Sequence, residues 1–221
     1  MKKLVLTDIE DLAALVQAQI EEVSRTSAET IRLGIPGGRS AAFLIEGMLK
    51  LPDAILSRVR LYLLDERLSG ERNLDTLLAS GLAQAMEEGR FKKDSLSIPE
   101  VGKPLLEEKA TRFDLIYLGV GEDGHIASLF PGSYPSEEKG QTALVLDSPK
   151  PPLERVTFTY AGFRTYARTT PICLLFLGEG KRPAYLRFLS KKEQAESLPC
   201  AFFTQENFSV TIITNLKEQP R

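Results

Sequence analysis

The chain carries a single histidine, His125, in the run Phe113-Asp-Leu-Ile-Tyr-Leu-Gly-Val-Gly-Glu-Asp-Gly-His-Ile-Ala-Ser-Leu-Phe-Pro-Gly132. An imidazole has an ordinary pKa of about 6.5 and is the usual side chain for moving a proton at neutral pH. His125 follows an apolar, strand-like segment and a turn holding three glycines and two acids. Open α/β sheets place their ligands at such turns, beyond the carboxyl ends of buried strands. Any imidazole chemistry of this protein takes place there.

Two other apolar runs end in polar turns. Ile31–Ile35 leads into Pro36-Gly37-Gly38-Arg39-Ser40 and then a helical pattern. Such a turn offers free backbone N–H groups and the positive end of a helix dipole, which suits phosphate. Val59–Leu64 is closed by Asp65-Glu66-Arg67. In a parallel sheet the carboxyl ends of the strands share one edge, so the three turns are expected to meet in one crevice. Asp65 and Asp123 then stand to hold substrate hydroxyls or to orient the imidazole. Asp123 precedes His125 by two residues and needs a tight turn for the second role. Arg67 is left with two roles, phosphate binding or a structural ion pair. Lys181 opens a late helix after Gly178 and Gly180 and adds a cation. Backbone amides of 119–124, including Gly121 and Gly124, or of 37–38, are the available donors for an oxyanion.

These turns have to be positioned by alternating strands and helices. Leu12, Ala13, Val16, Ile20 and Val23 recur at helical spacing over 10–24, with Asp8 as the expected N-cap. Helices are expected over 40–49, 73–88, 104–111 and 181–189. Strands are expected over 31–35, 59–64, 114–119, 143–146, 155–160, 172–177 and 210–214. The segment 114–119 is apolar at nearly every position, as in a central parallel strand covered on both faces. This alternation implies an α/β fold, a doubly wound, mostly parallel sheet flanked by helices, formed as one domain over 1–221. The region 143–160 has two strands with no helix between them and reads as a small peripheral or antiparallel β element. The Phe and Tyr residues of 158–166 read as packing.

Composition narrows the function. A chain of 221 residues with 43% hydrophobic and 26% charged residues can bury a large core. The net charge of −2 shows no basic face for nucleic acid or anionic lipid. No apolar run approaches the roughly 18 residues that cross a bilayer. The N-terminal apolar run is cut short by Asp8, Glu10 and Asp11 and does not make a secretory signal. Cys173 and Cys200 lie among apolar neighbours and read as buried free thiols of a cytoplasmic protein. One histidine and two isolated cysteines do not assemble a zinc site, and no metal or other cofactor is expected.

Gly119-Val-Gly121-Glu-Asp-Gly124 matches the G-x-G-x-x-G outline of a dinucleotide site, with Asp147 23 residues beyond Gly124. The context excludes it. Pro131-Gly132 leaves no room for the crossover helix, and Glu122 and Asp123 would set two carboxylates beside a pyrophosphate.

Together these segments resemble the 6-phosphogluconolactonases, within the larger group that includes the glucosamine-6-phosphate deaminases. FDLIYLGVGEDGHIASLFPG at 113–132 follows the family signature almost throughout. LLDERL at 63–68, SPKPPLERVTFT at 148–159 and LGEGK at 177–181 match further family segments. The resemblance implies hydrolysis of 6-phospho-D-glucono-1,5-lactone to 6-phosphogluconate, in the oxidative pentose phosphate route, with His125 as the base that activates water. It also places Arg168 and Lys181 on the phosphate. The chain departs from the family in three places. Pro36-Gly37-Gly38-Arg39 stands where the family has a serine or threonine after the glycines, and Arg39 or Ser40 could substitute for that hydroxyl. The loop after Arg67 is short and keeps only Asn73 of a Ser-Asn pair. The segment after Leu189 is compressed.

Two rival readings follow. A deaminase continues after its histidine with Ile-Ala-Phe-Asn-Glu-Pro, whereas this chain reads Ile126-Ala-Ser-Leu-Phe-Pro131 without the acid. A sugar-phosphate-sensing module of a regulator would need a DNA-binding helix-turn-helix, and the α/β pattern begins within about 30 residues, leaving it no space. No nucleophile elbow is present for a serine hydrolase. The expected partner is a small sugar-phosphate lactone, without nucleic acid or membrane, on a monomer or small homo-oligomer.

Overall fold

A computed structural model describes residues 1–27, 29–106, 112–133 and 140–217. Seven strands form a parallel sheet: β1 (Lys2–Val5), β2 (Ile31–Ile35), β3 (Val59–Leu63), β5 (Leu96–Ser97), β6 (Leu115–Gly119), β9 (Ile172–Phe176) and β10 (Val210–Thr214), in the order β1-β10-β9-β6-β2-β3-β5. Three more, β4 (Asp65–Arg67), β7 (Thr142–Val145) and β8 (Arg155–Phe158), form a small antiparallel sheet in the order β4-β8-β7. The helices are α1 (Asp11–Thr26), α2 (Ala41–Leu49), α3 (Asp53–Leu56), α4 (Asn73–Leu77), α5 (Ala83–Glu87), α6 (Tyr160–Tyr166), α7 (Arg182–Ser190) and α8 (Phe202–Gln205). No helix among the described residues is long and apolar enough to cross a membrane.

The apolar strands are explained by burial on both faces. Successive side chains of a strand point to opposite sides. Leu115 and Tyr117 of β6 therefore pack with α1 and α2, against Leu12, Val16, Leu44 and Met48. Ile116 and Leu118 pack on the other side with residues of α6, α7 and α8, among them Phe163, Phe188 and Phe203. Strand β9 divides in the same way, with Cys173 and Leu175 in the first core and Ile172, Leu174 and Phe176 in the second.

Several boundaries differ from the pattern in the sequence. Glu10, not Asp8, occupies the N-cap of α1, and the Asp11 carboxylate reaches back to accept from Thr7 N at 3.1 Å and Asp8 N at 3.0 Å. The expected helix 73–88 is broken into α4 and α5, because Gly81 turns to a φ of +99°, a conformation that side chains with a Cβ resist. The strand expected over 155–160 stops at Phe158. Thr159 instead caps α6, its Oγ1 accepting from Gly162 N at 2.9 Å. The charged triplet 65–67 is a strand, paired Asp65 to Thr157 and Arg67 to Arg155. Most of the helix expected over 104–111 lies outside the described residues.

Candidate active site

Three strand ends open into one cleft of about 810 Å³ at the carboxyl edge of the parallel sheet. After β2 come Gly37, Gly38, Arg39 and Ser40; after β6, Gly121, Glu122 and His125; after β9, Gly178 and Lys181. Arg67 reaches the cleft from the small sheet. A smaller recess of about 120 Å³ continues inward and is lined by His125, Asp65, Arg67, Asn73 and Arg155. His125 and Arg67 belong to both parts.

The imidazole is held by its own turn. Gly121 N donates to His125 O at 2.8 Å, and Gly124 N donates to Gly121 O at 3.0 Å. This closes the loop tightly enough for Asp123 Oδ1 to lie 2.5 Å from His125 Nδ1, while also accepting from His125 N at 3.2 Å. A Cβ on Gly121 would overlap the imidazole and the Asp123 carboxylate, so the bare backbone there gives the ring its place. Phe130 packs on the imidazole with ring centroids 4.7 Å apart.

Burial alone would raise the Asp123 pKa. The hydrogen bond and charge of His125, assisted by Lys150, overcome it and hold the carboxyl well below the usual carboxylate range. Lys150 Nζ lies 3.7 Å from Asp123 Oδ2. An ionised carboxylate has no proton to give, so Nδ1 carries the proton and donates it to Asp123. In the neutral ring Nε2 is then the basic nitrogen.

Asp65 occupies the inner recess. Its Oδ2 accepts from Ser128 Oγ at 2.7 Å, and its main-chain oxygen accepts from Asn73 Nδ2 at 3.0 Å. Asn73 also presses against Gly37, where a Cβ would collide with it. The buried Glu66 carboxylate accepts from the amides of Arg67, Asn73 and Leu74 at 2.7, 2.7 and 2.9 Å and so fixes the start of α4. This sets the course of the loop that carries Arg67. Arg67 donates from Nη1 to Glu71 O at 2.8 Å, and its buried Nε finds no acceptor among the described residues.

Positive charge gathers around the cleft. Burial lowers the Lys181 pKa, the Glu122 carboxylate raises it, and the neighbouring charges of Lys150 and Arg39 lower it again. The amides of Gly37, Gly38, Arg39 and Ser40 are taken by no acceptor among the described residues. They precede α2, and together with Arg39 they offer an anion both a helix N-terminus and a guanidinium. The amides of Gly121 and Gly124 are instead used within their own turn, whereas those of Glu122 and Asp123, like the 37–40 amides, are taken by no acceptor among the described residues.

Two expected site residues lie elsewhere. Arg168 precedes β9, at the amino edge of the sheet, opposite the cleft. Its Nη1 donates to Glu206 O at 2.6 Å, and its guanidinium lies 5.1 Å from the Phe208 ring centroid. Gly124 does not line the cleft. Its φ of +93° and its close approach to Leu198 make it a turn residue.

Two cations went unassigned in the sequence. Lys150 sits in the proline-rich segment before β8, and only the register of the small sheet brings it to Asp123. Arg155 is buried beneath Phe130, 5.4 Å from the ring centroid, and donates to Pro152 O at 3.0 Å and Lys150 O at 2.7 Å. Burial lowers its pKa and the Asp65 charge raises it. The match of SPKPPLER to the family was the one available signal for either.

The arrangement is that of a doubly wound α/β protein able to hold a small anion beside an imidazole base at the carboxyl edge of its sheet. The sequence profile of the family described as "Glucosamine-6-phosphate isomerases/6-phosphogluconolactonase" matches residues 7–212. A rice protein named "Probable 6-phosphogluconolactonase 3, chloroplastic" is 34% identical over 172 residues, which cover 74% of this chain and 47% of that one. The chain belongs to this family. It spans less than half the length of that relative, and 26% of another rice relative bearing the same family name. Among solved structures, a 6-phosphogluconolactonase from Trypanosoma cruzi superposes with a TM-score of 0.75 at 21% identity, over 96% of this chain and 93% of that one. A monomeric glucosamine-6-phosphate deaminase superposes with a TM-score of 0.67 at 19% identity, over 97% of each chain. The fold is thus common to both activities and does not choose between them.

Proposed function

We propose that this protein hydrolyses 6-phospho-D-glucono-1,5-lactone to 6-phosphogluconate, in the cytoplasmic oxidative pentose phosphate route, with His125 as the general base. The observation that carries this reading is the Asp123–His125 pair, whose imidazole lines both the cationic cleft and the inner recess. Nε2 of the neutral imidazole takes a proton from water as its oxygen attacks the lactone carbonyl. The C–O bond to the ring oxygen then breaks, and the imidazolium returns the proton to the departing oxygen. Asp123 steadies the imidazolium between the two transfers. A positioned base of this kind contributes about 10²–10⁴-fold in rate.

The phosphate lies against the free 37–40 amides, Arg39 and Lys181, with Arg67 between phosphate and reacting ring. Asp65 faces the sugar hydroxyls from the inner recess. Loss of the deaminase acid supports hydrolysis over ring opening. Ser128, in the segment after His125, turns its hydroxyl away to Asp65.

The test is proton release from freshly prepared 6-phosphogluconolactone by wild type and His125→Ala, each with chelator. Wild type is expected to exceed the uncatalysed rate, and His125→Ala to lose about 10²-fold or more of that excess. Equal rates would remove His125 from the mechanism, and no acceleration by wild type would remove the reaction itself. Loss of wild-type activity on chelation would show a metal requirement. Ammonia release from glucosamine 6-phosphate would identify the deaminase instead.

A further inference from the structure

The turn that carries Asp123 and His125 is braced by residues that do not line the cleft. Arg187, on α7, donates from Nη1 to the main-chain oxygen of Asp123 at 3.2 Å. Its Nε and Nη2 are committed: they form a two-pronged pair with Glu193 at 2.7 and 2.6 Å, and Nη2 also donates to Ser197 O at 3.0 Å. The same 193–200 segment meets the turn twice more. Cys200 N donates to Gly124 O at 3.0 Å, and Leu198 presses on Gly124 where a Cβ would stand. A cavity of about 150 Å³ lined by Arg187, Glu193 and Leu198 among others lies beside the Arg187–Glu193 pair.

We propose that Arg187, locked in orientation by Glu193, is a positioning residue that sets the height of Asp123 and through it the alignment of the His125 imidazole. A planar guanidinium held by a carboxylate fork has its two Nη1 N–H groups fixed in its plane, and one of them has a set direction toward the turn. Here that direction is the Asp123 carbonyl. The Asp123 carboxylate in turn holds His125 twice, at the imidazole Nδ1 and at the main-chain amide. A displacement of this turn by about 1 Å is enough to cost on the order of 10²-fold in rate. The consequence for catalysis rests on the proposed lactonase reaction; the geometry of the pair does not.

The experiment uses Arg187→Gln and Glu193→Gln in the full chain and reads two quantities. Because the chain has one histidine, the hydrogen-bonded Nδ1 proton of His125 gives one imidazole resonance, assignable without further variants. The other charged groups facing the pair, Glu122, Lys150 and Lys181 at the mouth and Asp65, Arg67 and Arg155 inside, are unaltered by either substitution. Arg187→Gln is expected to weaken or abolish this downfield resonance and to lower kcat about 10-fold or more, with KM changed less than about 3-fold. Glu193→Gln retains the arginine and is expected to lower kcat about 3-fold, with partial broadening of the resonance. If Arg187→Gln does not fold, Glu193→Gln alone decides. An unchanged resonance and kcat in the folded variants, whatever the change in melting temperature, would overturn the assignment. The resonance is read without substrate, so a wild type inactive on the lactone would refute the proposed function and leave this inference to be decided on its own signal.

Discussion

Asp123 is the residue on which the imbalance of charge in the cleft is most exposed to test. Its carboxyl is held below the usual range because the folded state favours the ionised form, through His125 first and Lys150 second, against the opposing effect of burial. A group whose folded pKa is depressed stabilises the fold above its unfolded pKa, and that contribution drains away as pH falls through the folded value. For Asp123 the contribution is present at neutral pH and is lost progressively below about pH 4. The difference in urea midpoint between wild type and Asp123→Asn should therefore narrow between pH 6 and pH 3; a constant difference would mean that the ion pair is not the source. Gly121 gives a complementary prediction. Its Cβ would overlap His125 while its φ is one that alanine tolerates, so Gly121→Ala should cost about 10²-fold in kcat/KM by displacing the ring. The melting temperature should move by only a few degrees, and a normal rate would show that the ring position is not critical. At this scale the imidazole and its carboxylate were readable in the sequence, because two residues and a glycine turn determine the geometry locally. Lys150 and Arg155 were not, because their place depends on strand pairing across about ninety residues.

The elements that present the site were legible in proportion to their burial. Strands β2, β3, β6, β9 and β10 are covered on both faces and announce themselves as apolar runs; β4 is three residues long, charged, and indistinguishable from a turn without its partner. What secures β4 and the start of α4 is the buried carboxylate of Glu66, which accepts three backbone N–H groups. Glu66→Gln keeps the shape but replaces one acceptor oxygen with an NH₂ donor facing an amide that is itself a donor. The expected cost is about 1–3 kcal/mol in urea unfolding. KM should rise as well, because Arg67 and the Asn73–Gly37 contact lose their anchor. Wild-type stability together with unchanged KM would show that the loop is fixed by other means. Arg168 illustrates the opposite failure. Matching a basic residue to a family position could not reveal that the chain had already carried it to the amino edge of the sheet, against Glu206 and Phe208.

At the scale of the whole molecule, two cores share one sheet, and each holds one thiol. Cys173 faces the core formed with α1 and α2, whereas Cys200 lies in the core formed with α6, α7 and α8. Burial pushes both thiols up to about 12, opposed for Cys173 by a hydrogen bond from Gln19 and for Cys200 by its own backbone amide. At pH 8 the thiolate fraction of either would be about one part in 10⁴, so a thiol reagent should label neither in the native state. Labelling then reports opening of each core. The strands couple the two openings, since alternate residues of β6 and β9 belong to opposite cores and loss of the sheet exposes both. Both cysteines should therefore become reactive with the same urea dependence, quantified peptide by peptide after a labelling pulse. Earlier labelling of Cys200 than of Cys173 would show that the layer carrying Arg187 and the 193–200 segment opens separately, and that the sheet does not bind the molecule into one cooperative unit.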